Sequence, residues 1–314
     1  MASSFGTVHH VRPSPRVILG QIVDPLTAPF YCTLYIDYDD DAGTAICGGV
    51  LLGGGEALTA AHCVFRGDTS DPAYYQRPSA VYARLYGRLR PISERLVRVD
   101  IESIRVHPRF DLNSMKNDIA WLQIPDTESL NQTVNITLNR SRRAWDDLSS
   151  WDRLDVIGVG HDANEALSLG APREVYLSRR TCSNPVGYGD LLAVPKEWYH
   201  TDICAGPFEP CAANQRCADA CRGDSGGPLF GRNDDGSIIV YGLVSRGGEK
   251  CGIHGLLGGS PGIYAPMDAH GDFLRNVANS TPYVRATRAT NGARRLTGLP
   301  HYALIYITYI LAHR

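Results

Sequence analysis

Asp219-Ala220-Cys221-Arg222-Gly223-Asp224-Ser225-Gly226-Gly227-Pro228-Leu229 is the stretch on which the reading of this chain turns. It sets a serine between an aspartate and two glycines and closes on a proline. Alone, such a run reads as a turn. Two segments upstream change its meaning: Leu58-Thr59-Ala60-Ala61-His62-Cys63 and Lys116-Asn117-Asp118-Ile119-Ala120-Trp121-Leu122. Each also has a plain structural reading, the first as a packed or surface histidine, the second as a turn that starts a strand. Taken in order, the three supply an imidazole, a carboxylate and a hydroxyl. A serine hydroxyl is a weak nucleophile at neutral pH, so a base must take its proton as it attacks. Imidazole suits that task, with an ordinary pKa of about 6.5.

The rest of the chain suits a folded protein with a core. Its 314 residues carry 31 Lys+Arg against 33 Asp+Glu, and 43% are hydrophobic. That balance excludes an intrinsically disordered chain and gives no basic excess to attract nucleic acid or an anionic membrane. Positive charge comes almost wholly from arginine, a bias with no physical account; the lysines are Lys116, Lys196 and Lys250. The 32 Gly and 19 Pro favour many short strands over long helices. Apolar stretches at 45–52, 57–61, 81–89, 96–106, 119–124, 154–159, 237–244 and 262–265, broken by turn residues, point to an all-β barrel or sandwich. One late helix is expected over 266–278, with Phe273, Leu274 and Val277 on one face. No repeat of 20–50 residues is present.

The nine cysteines lie singly rather than in paired C-x-x-C zinc spacing, and read as disulfides formed in an oxidising compartment. An odd number leaves at least one unpaired within the chain. Residues 1–16 hold no apolar run of signal-peptide length. Tyr302 to Ala312 is apolar but shorter than the roughly 20 residues that a spanning helix needs, and a membrane anchor is not expected there. Glycan acceptor tripeptides occur at Asn131, Asn135, Asn139 and Asn279, and the cluster over 131–141 reads as a surface loop.

In this order the three motifs resemble the trypsin/chymotrypsin family of serine proteases, from about Val17 to Ala278. The resemblance implies an all-β fold of two six-stranded antiparallel β-barrels with a C-terminal α-helix and a cleft between the barrels. The first barrel would lie at about 17–140 and the second at 141–278, with 1–16 as a leader or propeptide and 279–314 as a tail. It implies a secreted endopeptidase that needs no cofactor or metal, with Ser225 as nucleophile, His62 as general base and then acid, and Asp118 as the carboxylate that orients it. The amides of Gly223 and Ser225 would form the oxyanion hole. Thr59 and Ser245 stand where the family places hydroxyls near the buried aspartate.

Further roles follow from the same resemblance. Asp219 would sit at the base of the specificity pocket and select Arg or Lys, with Gly247 and Gly262 as small wall residues. Ala220, which lacks a hydroxyl, tilts the choice toward Arg. Partners would be polypeptides with Arg or Lys before the scissile bond, and protein inhibitors. Arg16-Val17-Ile18-Leu19-Gly20 resembles a zymogen junction, so that cleavage after Arg16 would free a Val17 amine to pair with Asp224. Disulfides are implied at Cys47–Cys63, Cys182–Cys204 and Cys221–Cys251. Cys211 and Cys217 lie close enough in sequence to close on each other, which leaves Cys32 over.

The chain also departs from the family. Arg246 replaces the Trp that follows this serine and floors the next substrate subsite, so it would either favour an acidic substrate residue or block the cleft. Gly158-Val159-Gly160 replaces Gly-Trp-Gly, and 252–261 is a longer glycine-rich loop. Pro261 stands where sodium-activated members carry Tyr. Asp68–Asp71 lies near the family's calcium loop but does not match its acidic spacing. The competing readings are a catalytically inactive, protease-like binding protein and a regulatory protease with few targets.

Overall fold

The computed structural model describes residues 18–24, 27–38, 44–65, 80–86, 96–125, 136–161, 172–182, 202–207, 216–247, 251–252, 261–277 and 284–285. Arg16, Val17, Cys211, the acceptors Asn131, Asn135 and Asn279, Asp68–Asp71 and the apolar C-terminal stretch lie outside them. Among the described residues no helix is long and apolar enough to cross a membrane, and no three His, Cys, Asp or Glu side chains group as metal ligands would.

In chain order the strands are β1 (Gln21–Ile22), β2 (Tyr31–Asp37), β3 (Thr44–Gly53), β4 (Glu56–Thr59), β5 (Ala80–Tyr86), β6 (Leu96–Asp100), β7 (Ser103–Val106), β8 (Ala120–Gln123) and β9 (Ile136–Leu138). They continue with β10 (Leu154–Gly158), β11 (Arg173–Arg180), β12 (Ile203–Pro207), β13 (Pro228–Arg232), β14 (Ile238–Arg246), β15 (Gly262–Pro266) and β16 (Val284–Arg285). Among the described residues three short α-helices interrupt them: α1 (Ala61–Val64), α2 (Arg142–Asp146) and α3 (Gly271–Asn276).

The second half of the chain closes a barrel. Its strands run β11-β10-β13-β14-β15-β12, and β12 returns to pair with β11. The first half forms the sheet β7-β8-β4-β3-β2-β5-β6. Its two end strands are joined by Ile101-Glu102, where the chain changes partner from β5 to β8. Counted as one bent strand, β6–β7 closes a six-stranded barrel. The two-barrel expectation therefore holds, with closed barrels that leave few edges to protect.

Three apolar clusters hold the halves. Leu34, Ile36, Ile104 and Leu122 fill the first barrel, and Leu154, Val156, Leu177 and Leu229 fill the second. Between them Phe30, Val50, Leu58, Phe230, Val240 and Leu243 form one shared core. Phe30 meets Phe230 edge-on across the barrels at 5.0 Å between centroids, an arrangement that suits the aromatic quadrupole.

Several boundaries differ from the sequence reading. The helix expected over 266–278 is shorter. Pro266 still belongs to β15, and a 3-10 turn at Asp268–His270 precedes α3. The stretch 57–61 divides, because Ala61 already begins α1. The expected tail contributes β16, which pairs with β7 through Val284↔Ile104. The supposed loop 131–141 contains β9, which pairs in parallel with β14. Asn139 is buried there and its Nδ2 has no partner, so the atom that a glycan would use is not accessible.

A histidine pair docks the C-terminal helix onto the first barrel. His107 and His270 are both buried, 5.3 Å apart between ring centroids, and Phe273 of α3 packs on His107 at 4.9 Å. Burial lowers both pKa values to about 4, below the unfolded value of about 6.5. The folded state therefore favours the neutral rings. Their contribution is complete above the unfolded value and is lost as pH falls toward 4. The unfolding free energy from urea titrations should fall over that window by up to about 3 kcal/mol for each ring, and His270→Phe should flatten the fall. An unchanged pH profile in the variant would remove the pair as the cause.

Candidate functional site

The residues singled out in sequence converge where the two barrels meet. His62 lies in α1, a single turn that follows β4. Asp118 lies just before β8. Its fully buried carboxylate accepts from the His62 amide through Oδ1 at 2.9 Å and faces His62 Nδ1 through Oδ2 at 2.8 Å. Ser245 Oγ donates to the same Oδ2 at 2.6 Å. The β14–β15 register skips at Ser245, between Val244↔Tyr264 and Arg246↔Ile263. Such a bulge re-aims a side chain, and here it turns Ser245 onto Asp118. Thr59 does not share this role: its hydroxyl donates to the Gly48 carbonyl at 2.8 Å.

The loop before Asp118 is fixed by its own polar groups. Asn117 adopts φ 55° and donates from Nδ2 to the Arg109 carbonyl at 2.7 Å. Asparagine tolerates that left-handed region better than most residues. Ser114 donates to Asp111 at 2.7 Å, which ties the other end of the loop.

Ser225 comes from the turn before β13. Its carbonyl accepts from the Gly48 amide at 2.7 Å, which pins the turn to β3 of the first barrel. Cys63 Sγ lies 4.0 Å from His62 Nε2 and 3.6 Å from the Ser225 carbonyl, so the Cys47–Cys63 disulfide adjoins both. Ser225 Oγ itself is not hydrogen-bonded to His62. Gly223 has φ 94°, a conformation open to glycine. The amides of Gly223 and Ser225 donate to no backbone carbonyl among the described residues.

Charge sorts the buried groups. For His62, burial pushes the pKa down, but the Asp118 charge and hydrogen bond outweigh it, and the net direction is up. For Asp118, burial acts upward, but the His62 interaction and the Ser245 hydroxyl hold the carboxyl below its ordinary value. Asp219 and Asp224 are each pushed up to about 7, chiefly by burial. Asp219 Oδ2 accepts the Gly252 amide at 3.0 Å. Asp224 accepts the Gly160 amide at 2.7 Å and the Cys221 amide at 2.8 Å. Neither has a cationic partner among the described residues, and an uncompensated buried carboxylate favours any cation that can reach it.

The two glycines expected as pocket walls differ in their tolerance. A Cβ on Gly247 would meet nothing within 4 Å, whereas one on Gly262 would come within 2.9 Å of the Tyr264 hydroxyl. Ala220 is half-buried beside Asp219. Ile18, fully buried, bridges Asp219 in antiparallel fashion. Disulfides join Cys182 to Cys204 and Cys221 to Cys251. Cys217 is also disulfide-bonded, and Cys32 is free and buried.

Residues 20–274 match the family described as Trypsin. This chain belongs to the trypsin family of serine proteases. It is 27% identical over 270 residues to CLIP domain-containing serine protease B8 of Anopheles gambiae, covering 78% of this chain and 62% of that one. It is 27% identical over 278 residues to tissue-type plasminogen activator of Homo sapiens, at 87% and 47% coverage. Chymotrypsin-C of Rattus norvegicus matches at 26% over 270 residues, at 83% and 88%. The chain thus spans between about half and two thirds of the first two relatives' length.

Two features of this trypsin-family site were not read from the sequence. One is the ion pair between Arg246 Nη2 and the buried Asp202. The pair is long-range, and no local pattern announces it. The other is the close packing of Gly158 and Gly160 on Asp224, for which the Gly-x-Gly spacing was the available signal. A Cβ on Gly158 would lie 1.9 Å from Asp224 Oδ1. Gly158→Ala should therefore destabilise the fold by about 2 kcal/mol or more. Gly247→Ala should stay within about 0.5 kcal/mol of the parent. Urea unfolding of the two variants checks the contrast.

Proposed function

We propose that this chain is a secreted serine endopeptidase that hydrolyses peptide bonds after Arg or Lys, made as an inactive precursor cut after Arg16. The observation that carries the reading is the His62–Asp118 couple. A fully buried carboxylate holds Nδ1, and the opposite ring nitrogen faces the disulfide that also touches the Ser225 carbonyl.

In this reading Ser225 Oγ attacks the scissile carbonyl carbon while His62 Nε2 takes its proton. The Ser225–His62 contact tightens once substrate is bound. Negative charge on the carbonyl oxygen meets the amides of Gly223 and Ser225, whose donors are uncommitted within the backbone. The C–N bond then breaks, and His62 returns the proton to the departing amine. Water, deprotonated by His62, attacks the acyl-enzyme and releases the new carboxyl end. Asp118 holds the imidazole in one tautomer and stabilises the imidazolium.

Asp219 supports the choice of substrate. It is buried, raised to about 7, and lacks a cation among the described residues, so a substrate guanidinium or ammonium would supply one. Ala220 leaves no hydroxyl to help an ammonium, which favours Arg. Asp224 supports the activation step in the same way, because the amine freed at Val17 is the cation it lacks. Ile18, the next residue, is buried beside Asp219. The disulfides fit an oxidising, extracellular setting. Polypeptides and protein inhibitors are the expected partners.

Protein beginning at Val17 should cleave a fluorogenic Arg peptide, a Lys peptide less well, and a Phe peptide hardly at all. Ser225→Ala should lose at least about a thousandfold in kcat/KM, and the uncut chain should be nearly inactive. Activity should rise with pH through the raised His62 value, because only the neutral ring accepts the serine proton. Preference for Phe would overturn the pocket assignment. Full activity of the uncut chain or of Val17→Gly would overturn the activation step. No turnover of any peptide by correctly disulfide-bonded protein would overturn the enzymatic reading.

A further inference from the structure

Arg246 directly follows Ser245, the residue that donates to Asp118. Its guanidinium does not reach outward. Nη2 pairs with Asp202, Nη1 is buried without a partner, and the side chain is 21% exposed. Asp202, itself buried, lies just before β12. The pair therefore reaches from β12 across β15 to β14, since β15 pairs with both. Held in this way, the arginine is engaged by the protein and is not free to grip an acidic substrate residue, the role considered for it from sequence.

We propose that Asp202 and Arg246 are a positioning pair, in which the carboxylate anchors the guanidinium on the cleft wall and so fixes the net charge beside the His62–Asp118 couple. The inference rests on the reading of His62 as the general base. Its physical basis is charge balance. A guanidinium alone beside an imidazole opposes protonation of the ring, and a second carboxylate alone favours it. Together at contact distance the carboxylate offsets part of the guanidinium's effect, and Asp118 outweighs what remains.

The groups that face the couple come from several elements. Arg246 of β14 opposes the protonation of His62, whereas Asp118 favours it. Asp202 feels Arg246, Asp118 and Arg142 of α2, and Arg142 Nη1 also donates to the Asp202 carbonyl at 3.5 Å. Behind Asp118 stand Ser245 and His270, with His107 and Arg109 beyond His270. The pair sets a cation that opposes protonation of His62 against a carboxylate that feels Asp118, and among the described residues neither is hydrogen-bonded to Asp118.

The arrangement predicts opposite responses to the removal of each partner. In the full chain carrying Ser225→Ala, the His62 imidazole is titrated by NMR, a readout that does not require activity. Asp202→Asn leaves the cation unbalanced and should lower the His62 midpoint by about 0.5–1 pH unit. Arg246→Gln leaves the anion and should raise it by a similar amount. The double variant should return to within about 0.2 unit of the parent, and Arg246→Lys, which keeps the charge, should stay near it. In active protein the acid limb of kcat/KM should shift in the same directions. Midpoints that move together, or do not move in either single variant, would overturn the inference. A merely structural role would reduce stability or activity in both without an opposed shift. Loss of all peptide cleavage by the parent protein would instead strike the enzymatic reading.

Discussion

The buried carboxylate of Asp118 is the interaction on which the site depends. It accepts the His62 amide and ring from the first barrel and the Ser245 hydroxyl from the second. A carboxylate with no exposure is costly unless its oxygens are satisfied, and here each donor comes from an element fixed by other constraints. The Asn117 turn sets the approach of the chain, α1 presents the imidazole, and the bulge in β14 turns the serine inward. Displacement of either barrel would break bonds to the same group. The polar site and the shared apolar core of Phe30, Leu58 and Phe230 therefore enforce one barrel-to-barrel geometry.

The histidine, the aspartate and the serine turn could be read in sequence because each sits in a short local pattern whose residue types the chemistry requires. The long β-branched run of β14 was equally plain. Strands β2, β11, β12 and β13 were not singled out. Tyr31–Asp37 sets Thr33 and Asp37 among apolar residues although both faces of its first part are buried, and Arg173–Arg180 mixes polar and apolar residues because Glu174 meets charged neighbours and Tyr176 meets solvent. The run 96–106 read as one strand, which is true of the chain's direction but not of its pairing, since the partner changes at Ile101-Glu102. The late helix was drawn too long at its start, because Pro266 belongs to β15 and Asp268–His270 form a 3-10 turn, whereas the expected apolar face of Phe273, Leu274 and Val277 falls in α3 and at its end. Partners fixed only by the fold, such as Asp202 with Arg246 or Gly158 with Asp224, leave no periodic trace.

Asp118, Asp219 and Asp224 are all buried, and they differ in what compensates them. Asp118 has the imidazole and is held low. Asp219 and Asp224 have only amides among the described residues and are raised to about 7. Amide donors stabilise a carboxylate, but here they do not offset its desolvation. The two are also coupled, because the Asp224 charge adds to the upward push on Asp219. A cation that settled on Asp224 would remove that repulsion and make an ionised Asp219 less costly. Under the proposed function the freed Val17 amine is the first such cation and the substrate side chain is the second. Activation would then do more than order the turn that carries Ser225: it would lower the electrostatic cost of the charge that selects the substrate.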